Sequence, residues 1–418
     1  MPVARICSPL AIFPQKSLAY FYSPPANSCI RNKAVLPIFL DVTRLLDRLA
    51  KRTLPTGVDR VGLAYIRHYA SRARAVLSER GFYVVLPERE SAQAFELLLN
   101  QDATRWRDAR RLMVRAILGA LRRERFARGV LLHTSHSGLE YGRYFQSLAS
   151  RNIRTVFMLH DLIPLTHAEY CRPGVRELHR ERMRVALRHA SGVIANSKAT
   201  LNSLIEEARW AGWPLPKTVV ARLASGVPAA NVDARPLAQP YFVMLGTIEP
   251  RKNHWFLLHV WRRMVEELGE RAPTLVVIGR RGWECENVVD MLERCVALRG
   301  KVIEEANCSD QRLYNYLHHA QALLFPSFVE GYGMPLAEAL SMRVPVIASD
   351  LPVFREIAGE IPDYLDPLDG PGWMARILEY STTNSVQRAS QLIRIEGFRE
   401  PTWQQHFEVV DQFIEELA

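Results

Sequence analysis

Short apolar runs alternate with longer amphipathic stretches along the first half of the chain. The apolar runs occur at residues 37–40, 83–86, 130–133, 155–159 and 192–195, and helical periodicity fills the intervals, for example at 60–77 and 104–128. Continuous apolar runs of this length indicate strands buried on both faces, and the longer periodic stretches indicate helices that cover them. The pattern therefore predicts parallel βα units.

The same alternation restarts after Arg235, with apolar runs at residues 241–245, 274–278, 322–325 and 344–348 and a last helical stretch at 402–417. We predict an irregular N-terminal segment (1–36), an N-terminal Rossmann-like domain (37–235), a C-terminal Rossmann-like domain (236–400) and a C-terminal helix (401–418). Ligands of doubly wound sheets bind at the carboxyl ends of the strands. Two such domains are therefore expected to hold a substrate in a cleft between them.

Composition excludes a largely disordered, collagenous or coiled-coil chain, and it excludes a transmembrane helix. The 418 residues are 48% hydrophobic and 23% charged, and no apolar run approaches the length of a membrane-spanning helix. The six cysteines have no C-x-x-C spacing, which favours reduced thiols over a disulfide framework or a zinc site. Residues 1–36 do not have the pattern of a secretory signal. We therefore expect a cytoplasmic chain.

Charge is distributed unevenly between the two halves. Residues 1–235 hold 37 Lys and Arg against 18 Asp and Glu, whereas residues 236–418 hold 17 against 26. The basic half suits an anionic partner. On a helix, Arg107, Arg111, Arg115 and Arg122 share one face, which indicates either a solvated surface or a face that rests on anionic lipid at the inner side of a membrane. Nucleic acid is not expected, because no aromatic residues interleave the arginines.

Residues 325–349, FPSFVEGYGMPLAEALSMRVPVIAS, place glycines and carboxylates between a buried strand and a helix. Pro335 stands in the first helical turn, a position that proline favours, and the glycines allow close approach of the backbone to a ligand. We expect Glu330 in the loop and Glu338 in the helix to point into the same cleft from different heights. Because a carboxylate accepts hydrogen bonds from hydroxyls, two carboxylates suit a ligand with two polyol parts, such as a nucleotide sugar.

This segment resembles the glutamate-x7-glutamate motif of family 4 glycosyltransferases of the GT-B fold, with seven residues between Glu330 and Glu338. The resemblance implies an α/β architecture of two doubly wound Rossmann-like domains facing each other across a cleft, with the C-terminal helix packing back on the first domain. It also implies that Glu330 holds the hexose hydroxyls of a donor and Glu338 the ribose. Backbone and side chains around them complete the expected donor site: Gly331, Tyr332, Gly333 and Met334.

The segment LGTIEPRKN follows another apolar run and carries two adjacent cations, Arg251 and Lys252. An arginine fork and a lysine point charge suit a diphosphate. At this position the pair resembles the phosphate-binding pair of the same family, which implies catalytic roles for both residues. Gly246 and Gly279, which follow successive strands of the second domain, are placed near the nucleotide by the same resemblance.

The first domain supplies candidates in MLHDLIP and two other loops. His160 follows a buried strand where the family has a functional histidine, which implies that it contacts the donor hexose and phosphate. We expect Asp161, His136 and Gly57 on the acceptor side. His136 is equally compatible with a core or capping role. The TGVDR loop has one glycine where many members of the family have a pair.

By resemblance, the chain is a retaining hexosyltransferase that needs no metal, since the sequence has no Asp-x-Asp motif. GYGMPLAEAL together with GRRGWE resembles mannosyltransferases of bacterial polysaccharide assembly, which implies GDP-mannose as donor and a lipid-linked saccharide as acceptor. Three alternatives stay open: a nucleotide-sugar epimerase of GT-B shape, a non-catalytic sugar-nucleotide-binding protein and a basic nucleic-acid-binding protein.

Overall fold

The computed structural model describes residues 36–53, 55–100, 102–119, 126, 128–226 and 231–417. The segment predicted to be irregular at residues 1–36 therefore lies outside the described residues, apart from Leu36. Among the cysteines that are described, Cys171, Cys285, Cys295 and Cys308 are free thiols.

The first half alternates strands with helices. Its elements are β1 (Ile38–Asp41), α1 (Thr43–Ala50), α2 (Gly57–Tyr69), β2 (Ala73–Glu79), β3 (Phe82–Val85), α3 (Glu88–Asn100), α4 (Trp106–Gly119), β4 (Gly129–His133), α5 (Gly142–Ala149), β5 (Ile153–Leu159), α6 (Ile163–Thr166), α7 (Val175–His189), β6 (Gly192–Ala195), α8 (Lys198–Ala211) and β7 (Lys217–Val220). In the described ranges these strands form one seven-stranded sheet in the order β3-β2-β1-β4-β5-β6-β7. All neighbours pair in parallel except β2 and β3.

The second half repeats the scheme. Its elements are β8 (Tyr241–Leu245), α9 (His254–Leu268), β9 (Thr274–Ile278), α10 (Glu286–Arg294), β10 (Val302–Glu305), α11 (Asp310–His318), β11 (Leu323–Phe325), α12 (Met334–Ser341), β12 (Val346–Ser349), α13 (Pro352–Ala358), β13 (Asp363–Leu365), α14 (Gly370–Ser381), α15 (Val386–Glu396) and α16 (Trp403–Leu417). These strands form a six-stranded parallel sheet in the order β10-β9-β8-β11-β12-β13. The predicted α/β class with two doubly wound sheets is confirmed.

The helix predicted over residues 60–77 is wrong in its second half. It ends at Tyr69, and β2 begins at Ala73. The stretch contains good helix formers, so local propensity favours a helix. Pairing with β1 on one side and antiparallel β3 on the other makes it a strand instead, and it buries Ala73, Ala75 and Val76. Tertiary pairing outweighs helix propensity here.

The C-terminal helix α16 packs on the first sheet, as the resemblance implied. The rings of Phe407 and Phe413 are buried, and a Cβ added to Gly192 in β6 would lie 2.7 Å from the ring of Phe413. Polar contacts reinforce this packing, since the Asp411 carboxylate accepts a 2.8 Å hydrogen bond from the Tyr69 hydroxyl and pairs with Arg72 at 2.9 Å. The end of the chain therefore ties the second half back to the first.

Helix α4 presents the basic face predicted from the sequence. Arg107, Arg111 and Arg115 are exposed, whereas Ala109 and Leu112 are buried against the first domain. The guanidinium groups of Arg52, Arg107 and Arg110 lie over the Trp106 ring, 4.4–5.2 Å from its centroid. Arg122 lies outside the described residues. Within the described part of the chain, no helix is long and apolar enough to cross a membrane.

The carboxyl ends of the two sheets touch each other. The carbonyl of Gly331, after β11, accepts hydrogen bonds from the Thr200 hydroxyl at 2.9 Å and the Ser197 hydroxyl at 3.4 Å, both near the start of α8. The Glu356 carboxylate of α13 accepts from the backbone amides of Lys198 and Ala199, which caps the N-terminus of α8. These contacts bring the loops that carry the candidate site residues together.

Candidate functional site

A buried ion cluster joins two loops of the second domain. The Glu330 carboxylate, with 6% of its side chain exposed, pairs with Arg251 Nη1 at 2.7 Å and with Lys252 Nζ at 2.5 Å. Arg251 Nη2 also pairs with Glu249 at 2.7 Å, and the Ser327 hydroxyl donates to Glu330 at 2.8 Å. Residues that the sequence placed in two separate motifs are therefore in direct contact.

Backbone geometry fixes this cluster. Pro250–Lys252 forms a single 3-10 turn after β8, and Asn253 in the left-handed conformation leads into α9. The Phe328 amide donates to the Arg251 carbonyl at 2.9 Å, and Arg251 Nη1 donates to the Val329 carbonyl at 3.1 Å. Because β8 and β11 are neighbours in a parallel sheet, their loops emerge side by side and can bond in this way.

The charges in the cluster set one another's ionisation. Burial on its own would raise the pKa of Glu330, but the charges of Arg251 and Lys252 lower it to about 2. Burial raises the pKa of Glu249, although the same two cations oppose the effect. Burial lowers the pKa of Lys252, opposed by Glu330. The cluster holds two cations and two carboxylates, with Glu330 ionised at neutral pH.

Gly246 and Gly279 lie at the carboxyl ends of the adjacent strands β8 and β9. A Cβ on Gly279, whose φ is +156°, would lie 1.9 Å from the Gly246 carbonyl oxygen, so only glycine fits there. Lys252 passes beside Gly246, with its Cε 3.2 Å from a Cβ added there. Both predicted glycines therefore lie within or next to the ion cluster.

His160 and Asp161 of the first domain meet Gly331 of the second. A Cβ on Gly331 would lie 2.4 Å from the His160 carbonyl oxygen and 2.7 Å from the Asp161 Cβ. His160 is buried, and its Nε2 contacts the Thr134 carbonyl at 2.8 Å. A carbonyl can only accept, so Nε2 carries the proton in this contact. Burial lowers the pKa of His160, which leaves the imidazole neutral at pH 7.

His136 lies behind His160. Its Nε2 accepts a hydrogen bond from the His160 backbone amide at 3.2 Å, and its ring lies 5.3 Å from that of His160 and 5.2 Å from that of His179. Burial and the two neighbouring histidines lower its pKa well below the ordinary value. Asp161 Oδ1 accepts from the Ile163 amide at 3.2 Å, which anchors the turn after β5. In this arrangement His136 orients the backbone of His160.

Glu338, the second predicted carboxylate, lies in α12 and is buried, apart from the Glu330 cluster. Its Oε1 accepts from the Gly226 amide at 3.2 Å. Burial raises its pKa from the ordinary 4.5 to about 7, opposed by the charge of Arg60. Arg60 in turn pairs with Asp310 at 2.6 Å. A residue of the first domain, Arg60, thus links to α11 of the second beside Glu338.

The loop between β11 and α12 places its other predicted residues against the first domain. The Tyr332 hydroxyl donates to the Leu223 carbonyl at 2.6 Å, and Gly333, with φ of +97°, caps α12. Met334 Sδ would lie 3.3 Å from a Cβ on Gly57, the first residue of α2. Gly57, predicted on the acceptor side, therefore lies against the loop between β11 and α12.

Sequence reasoning missed an almost completely buried carboxylate of the first domain. Asp59, with 1% of its side chain exposed, pairs with Arg44 Nε and Arg48 Nε, each at 2.8 Å. It also accepts from the amide and hydroxyl of Thr56 at 2.7 and 2.6 Å, as part of a capping box. The T-x-x-D spacing in TGVD was a signal for the cap, but the two arginines come from α1 and no local pattern joins them to it.

The described residues contain no group of three or more His, Cys, Asp and Glu side chains arranged to hold a metal ion. The site holds two fixed cations, Arg251 and Lys252, together with the Glu330 carboxylate and the neutral imidazole of His160. Such a set is able to bind an anion and to orient hydroxyl groups.

The raised pKa of Glu338 predicts a pH-dependent stability. A carboxyl whose pKa is raised in the folded state stabilises the fold below its ordinary pKa, and this contribution is lost as the pH rises through about 7. Between pH 4.5 and pH 8, the free energy of unfolding of the wild type should therefore fall relative to that of Glu338→Gln, by about 2–3 kcal/mol. Urea denaturation at both pH values measures this difference.

Glu415→Gln, a change of the same kind on the exposed side of α16, is the control and should follow the wild type. If the wild type and Glu338→Gln show equal pH dependence, Glu338 is ionised in the folded protein at neutral pH and the assignment is wrong.

Comparisons with known proteins bear on this site. Residues 239–379 match the family model described as Glycosyl transferases group 1. The serotype-specific mannosyltransferase WbdA of Escherichia coli is 28% identical over 292 residues, covering 66% of this chain and 35% of WbdA. The O-antigen chain mannosyltransferase B of Escherichia coli is 29% identical over 243 residues, covering 56% of this chain and 62% of that protein. The chain thus spans about a third of the length of WbdA.

The fold has solved counterparts. The structure of Anabaena Alr3699/HepE in complex with UDP and glucose matches with a TM-score of 0.62 at 16% identity, covering 91% of this chain and 100% of that one. At this identity the match bears on the fold alone, and it confirms the predicted GT-B-like architecture. The glycosyltransferase class predicted from the sequence is confirmed by the family match, which includes Arg251, Lys252, Glu330 and Glu338. The chain therefore carries a group 1 glycosyltransferase domain over residues 239–379 and is homologous to bacterial O-antigen mannosyltransferases.

Proposed function

We propose that the chain transfers a hexose from a nucleotide-diphosphate sugar to a growing saccharide in bacterial polysaccharide biosynthesis. The observation that carries the proposal is the contact of Glu330 with Arg251 and Lys252 at the edge where the two sheets meet. Two fixed cations suit a diphosphate, and the adjacent carboxylate suits the hydroxyls of the attached hexose. The proposed donor is GDP-mannose, which the two mannosyltransferase relatives support.

In this proposal the site accelerates transfer by stabilising the negative charge of the leaving diphosphate. Arg251, Lys252 and the N-terminus of α12 stabilise the negative charge that develops when the bond from the anomeric carbon to the phosphate oxygen breaks. No metal is needed for this role. Glu330 orients the hexose, and Glu338 accepts from the ribose.

Retention follows from attack on the same face of the sugar. The acceptor hydroxyl oxygen bonds to the anomeric carbon as the phosphate departs, and its proton passes to the leaving phosphate oxygen. The products are a glycoside and a nucleoside diphosphate. His160 stays neutral, and because its Nε2 proton is engaged by Thr134, its Nδ1 is left to accept from a hexose hydroxyl. Trapping a glycosyl adduct on the protein would contradict this route.

The donor enters when the two halves part. The hydrogen bonds of Gly331 with Thr200 and the cap of Glu356 on α8 hold the cleft edge together. Each is a neutral bond or a partly exposed one. Opening also breaks the Arg60–Asp310 ion pair and the Tyr332–Leu223 hydrogen bond. Closure over the donor would then exclude water from the reacting bond.

The acceptor is proposed to be a lipid-linked saccharide that the chain binds at the inner membrane surface. Exposed Arg107, Arg111 and Arg115 on α4 support this, since basic residues on one helix face bind anionic lipid headgroups. The apolar side of α4 stays packed on the first domain, so the helix does not have to insert. The chain would act as a cytoplasmic, peripheral membrane enzyme.

Donor turnover tests the proposed function. With EDTA present, one member of a panel of nucleotide sugars should bind and be hydrolysed slowly by the wild type. Glu330→Ala should abolish that hydrolysis, because the hexose loses its carboxylate and the two cations lose their fixed position. Nucleoside diphosphate release measures the rate, and added GDP-mannose should give the highest value.

Glu408→Ala, an exposed acid on α16, is the matched control and should leave the rate unchanged. A donor could instead bind equally well to the wild type and the variants, without being consumed when an acceptor is added. That result would favour a non-catalytic sugar-nucleotide-binding protein. Interconversion of the sugar without release of the nucleotide would favour an epimerase.

Vesicle binding tests the membrane part. Replacing Arg107, Arg111 and Arg115 together with Gln should weaken binding to phosphatidylglycerol vesicles about 100-fold, since each basic residue contributes about 1 kcal/mol. Neutral phosphatidylcholine vesicles should bind neither form. Replacing Arg262, Arg263 and Arg294, which pair with acids on their own helices, is the matched control. Equal binding of the two triple variants would contradict the assignment of α4.

A further inference from the structure

The first sheet ends in a strand that has one free edge. β3 pairs in antiparallel with β2, with Val85 opposite Val76 at one end and Phe82 opposite Glu79 at the other, and no other strand of the described ranges pairs with it. In an antiparallel pair, alternate residues direct their N–H and C=O groups away from the partner strand. β3 therefore presents unpaired backbone donors and acceptors on its outer side.

A groove runs along this free edge, between α4 and α5. It has a volume of about 620 Å³, and its lining includes all of residues 81–87, Leu112, Arg115 and Ala116 of α4, Arg143 of α5, and Arg151. This cavity, the β3 groove, is as large as cavities that hold ligands. Its lining shares no residue with the candidate site, so it is a separate surface of the first domain.

The strand itself lacks the features that usually protect a free edge. Soluble proteins commonly place charged residues or proline on an edge strand, which prevents another strand from pairing with it. The sequence of β3 is FYVV, without charge or proline, and Phe82 is 64% exposed. An exposed apolar edge of this kind is a template for pairing with another chain.

Two arginines outside β3 reach over its side chains. The guanidinium of Arg143 lies 5.3 Å from the centroid of the Phe82 ring, and that of Arg151 lies 6.0 Å from the centroid of the Tyr83 ring. Contacts with aromatic rings hold a guanidinium in place and leave its N–H groups free to donate. The cations are therefore positioned beside the free edge.

The charges around the β3 groove do not balance. Within the described part of the chain, no acid pairs with Arg115, Arg143 or Arg151. Glu90 is the one acid in the described lining. Three cations against one carboxylate favour an anionic occupant.

The backbone of β3 decides which class of anionic molecule fits. An acyl chain in the groove would remove the free N–H and C=O groups from water without pairing them, which is costly. A second copy that paired through its own β3 would bring Arg143 and Arg151 of both copies to one edge, where they repel one another. An extended peptide with acidic side chains meets both requirements.

We propose that the β3 groove binds an extended acidic segment of a partner protein, which adds a strand to the first sheet beside β3. Backbone hydrogen bonds to the free edge provide affinity, and alternate side chains of the segment enter the groove against Leu112 and Ala116. Acidic side chains of the segment pair with Arg143 and Arg151. The inference is independent of the proposed function, because no residue of the candidate site takes part.

A model peptide tests this surface on the full chain. A fluorescein-labelled peptide in which glutamate and valine alternate is titrated into the wild type, and anisotropy gives its dissociation constant. Arg143→Gln combined with Arg151→Gln should raise that constant about tenfold, the combined weight of two exposed ion pairs. Bound peptide should also protect the backbone amides of residues 82–85 from hydrogen exchange.

Three controls separate strand addition from attraction by charge alone. Arg176→Gln combined with Arg188→Gln removes the same charge from exposed positions on α7 and should leave binding unchanged. A peptide with N-methylated backbone amides keeps its side chains but loses its donors, so it should not bind. A peptide with lysine in place of glutamate should not bind either. Thermal melting of each variant checks that the fold is retained.

Several results would overturn the proposal. The acidic peptide could fail to bind the wild type, or it could bind the two double variants equally. The N-methylated peptide could bind as well as the unmodified one, which would show attraction by charge alone. Protection of residues 82–85 by monomeric dihexanoyl phosphatidylglycerol, but not by the peptide, would assign the groove to a lipid. A dimer in sedimentation that protects these amides without peptide would assign it to a second copy.

Discussion

The pairing of Glu330 with Arg251 and Lys252 is the interaction on which the site depends. Two loops that follow neighbouring parallel strands carry opposite charges into one buried place, and each ion is stable there only because the other is present. Backbone hydrogen bonds between the loops, from Phe328 to Arg251 and from Arg251 to Val329, hold the partners in register. The same groups that stabilise the loops without a ligand are those proposed to bind the donor.

Contacts between the two halves hold further site residues in place. Gly331 has no side chain, so its backbone lies directly against His160 and Asp161, and its carbonyl reaches Thr200. Arg60 links to Asp310 beside Glu338, and α16 returns to the first sheet through Phe413 and Asp411. The first domain thus supplies a neutral imidazole and cations, and the second supplies the carboxylates and the two cations, Arg251 and Lys252, that are proposed to bind phosphate.

Much of this arrangement could be predicted from the sequence, because Arg251, Lys252, Glu330 and His160 each follow closely on a buried strand. Carboxyl ends of parallel strands meet, so such residues converge. The rest depends on contacts between distant segments. The sequence of β2 favours a helix, and its pairing with β1 and β3 makes it a strand. The ion pairs of Asp59 with Arg44 and Arg48 form because α1 and α2 lie side by side. The place of His136 behind His160 likewise follows from packing of two loops.

The most direct test of this account is the affinity for GDP, and in parallel UDP, of wild type and Glu330→Gln. A nucleoside diphosphate has no hexose, so it competes with Glu330 for Arg251 and Lys252 without gaining from that carboxylate. Removing the charge while keeping the shape should tighten binding about tenfold. Unchanged or weaker binding would contradict the claim that Glu330 occupies the cations that are proposed to receive the diphosphate.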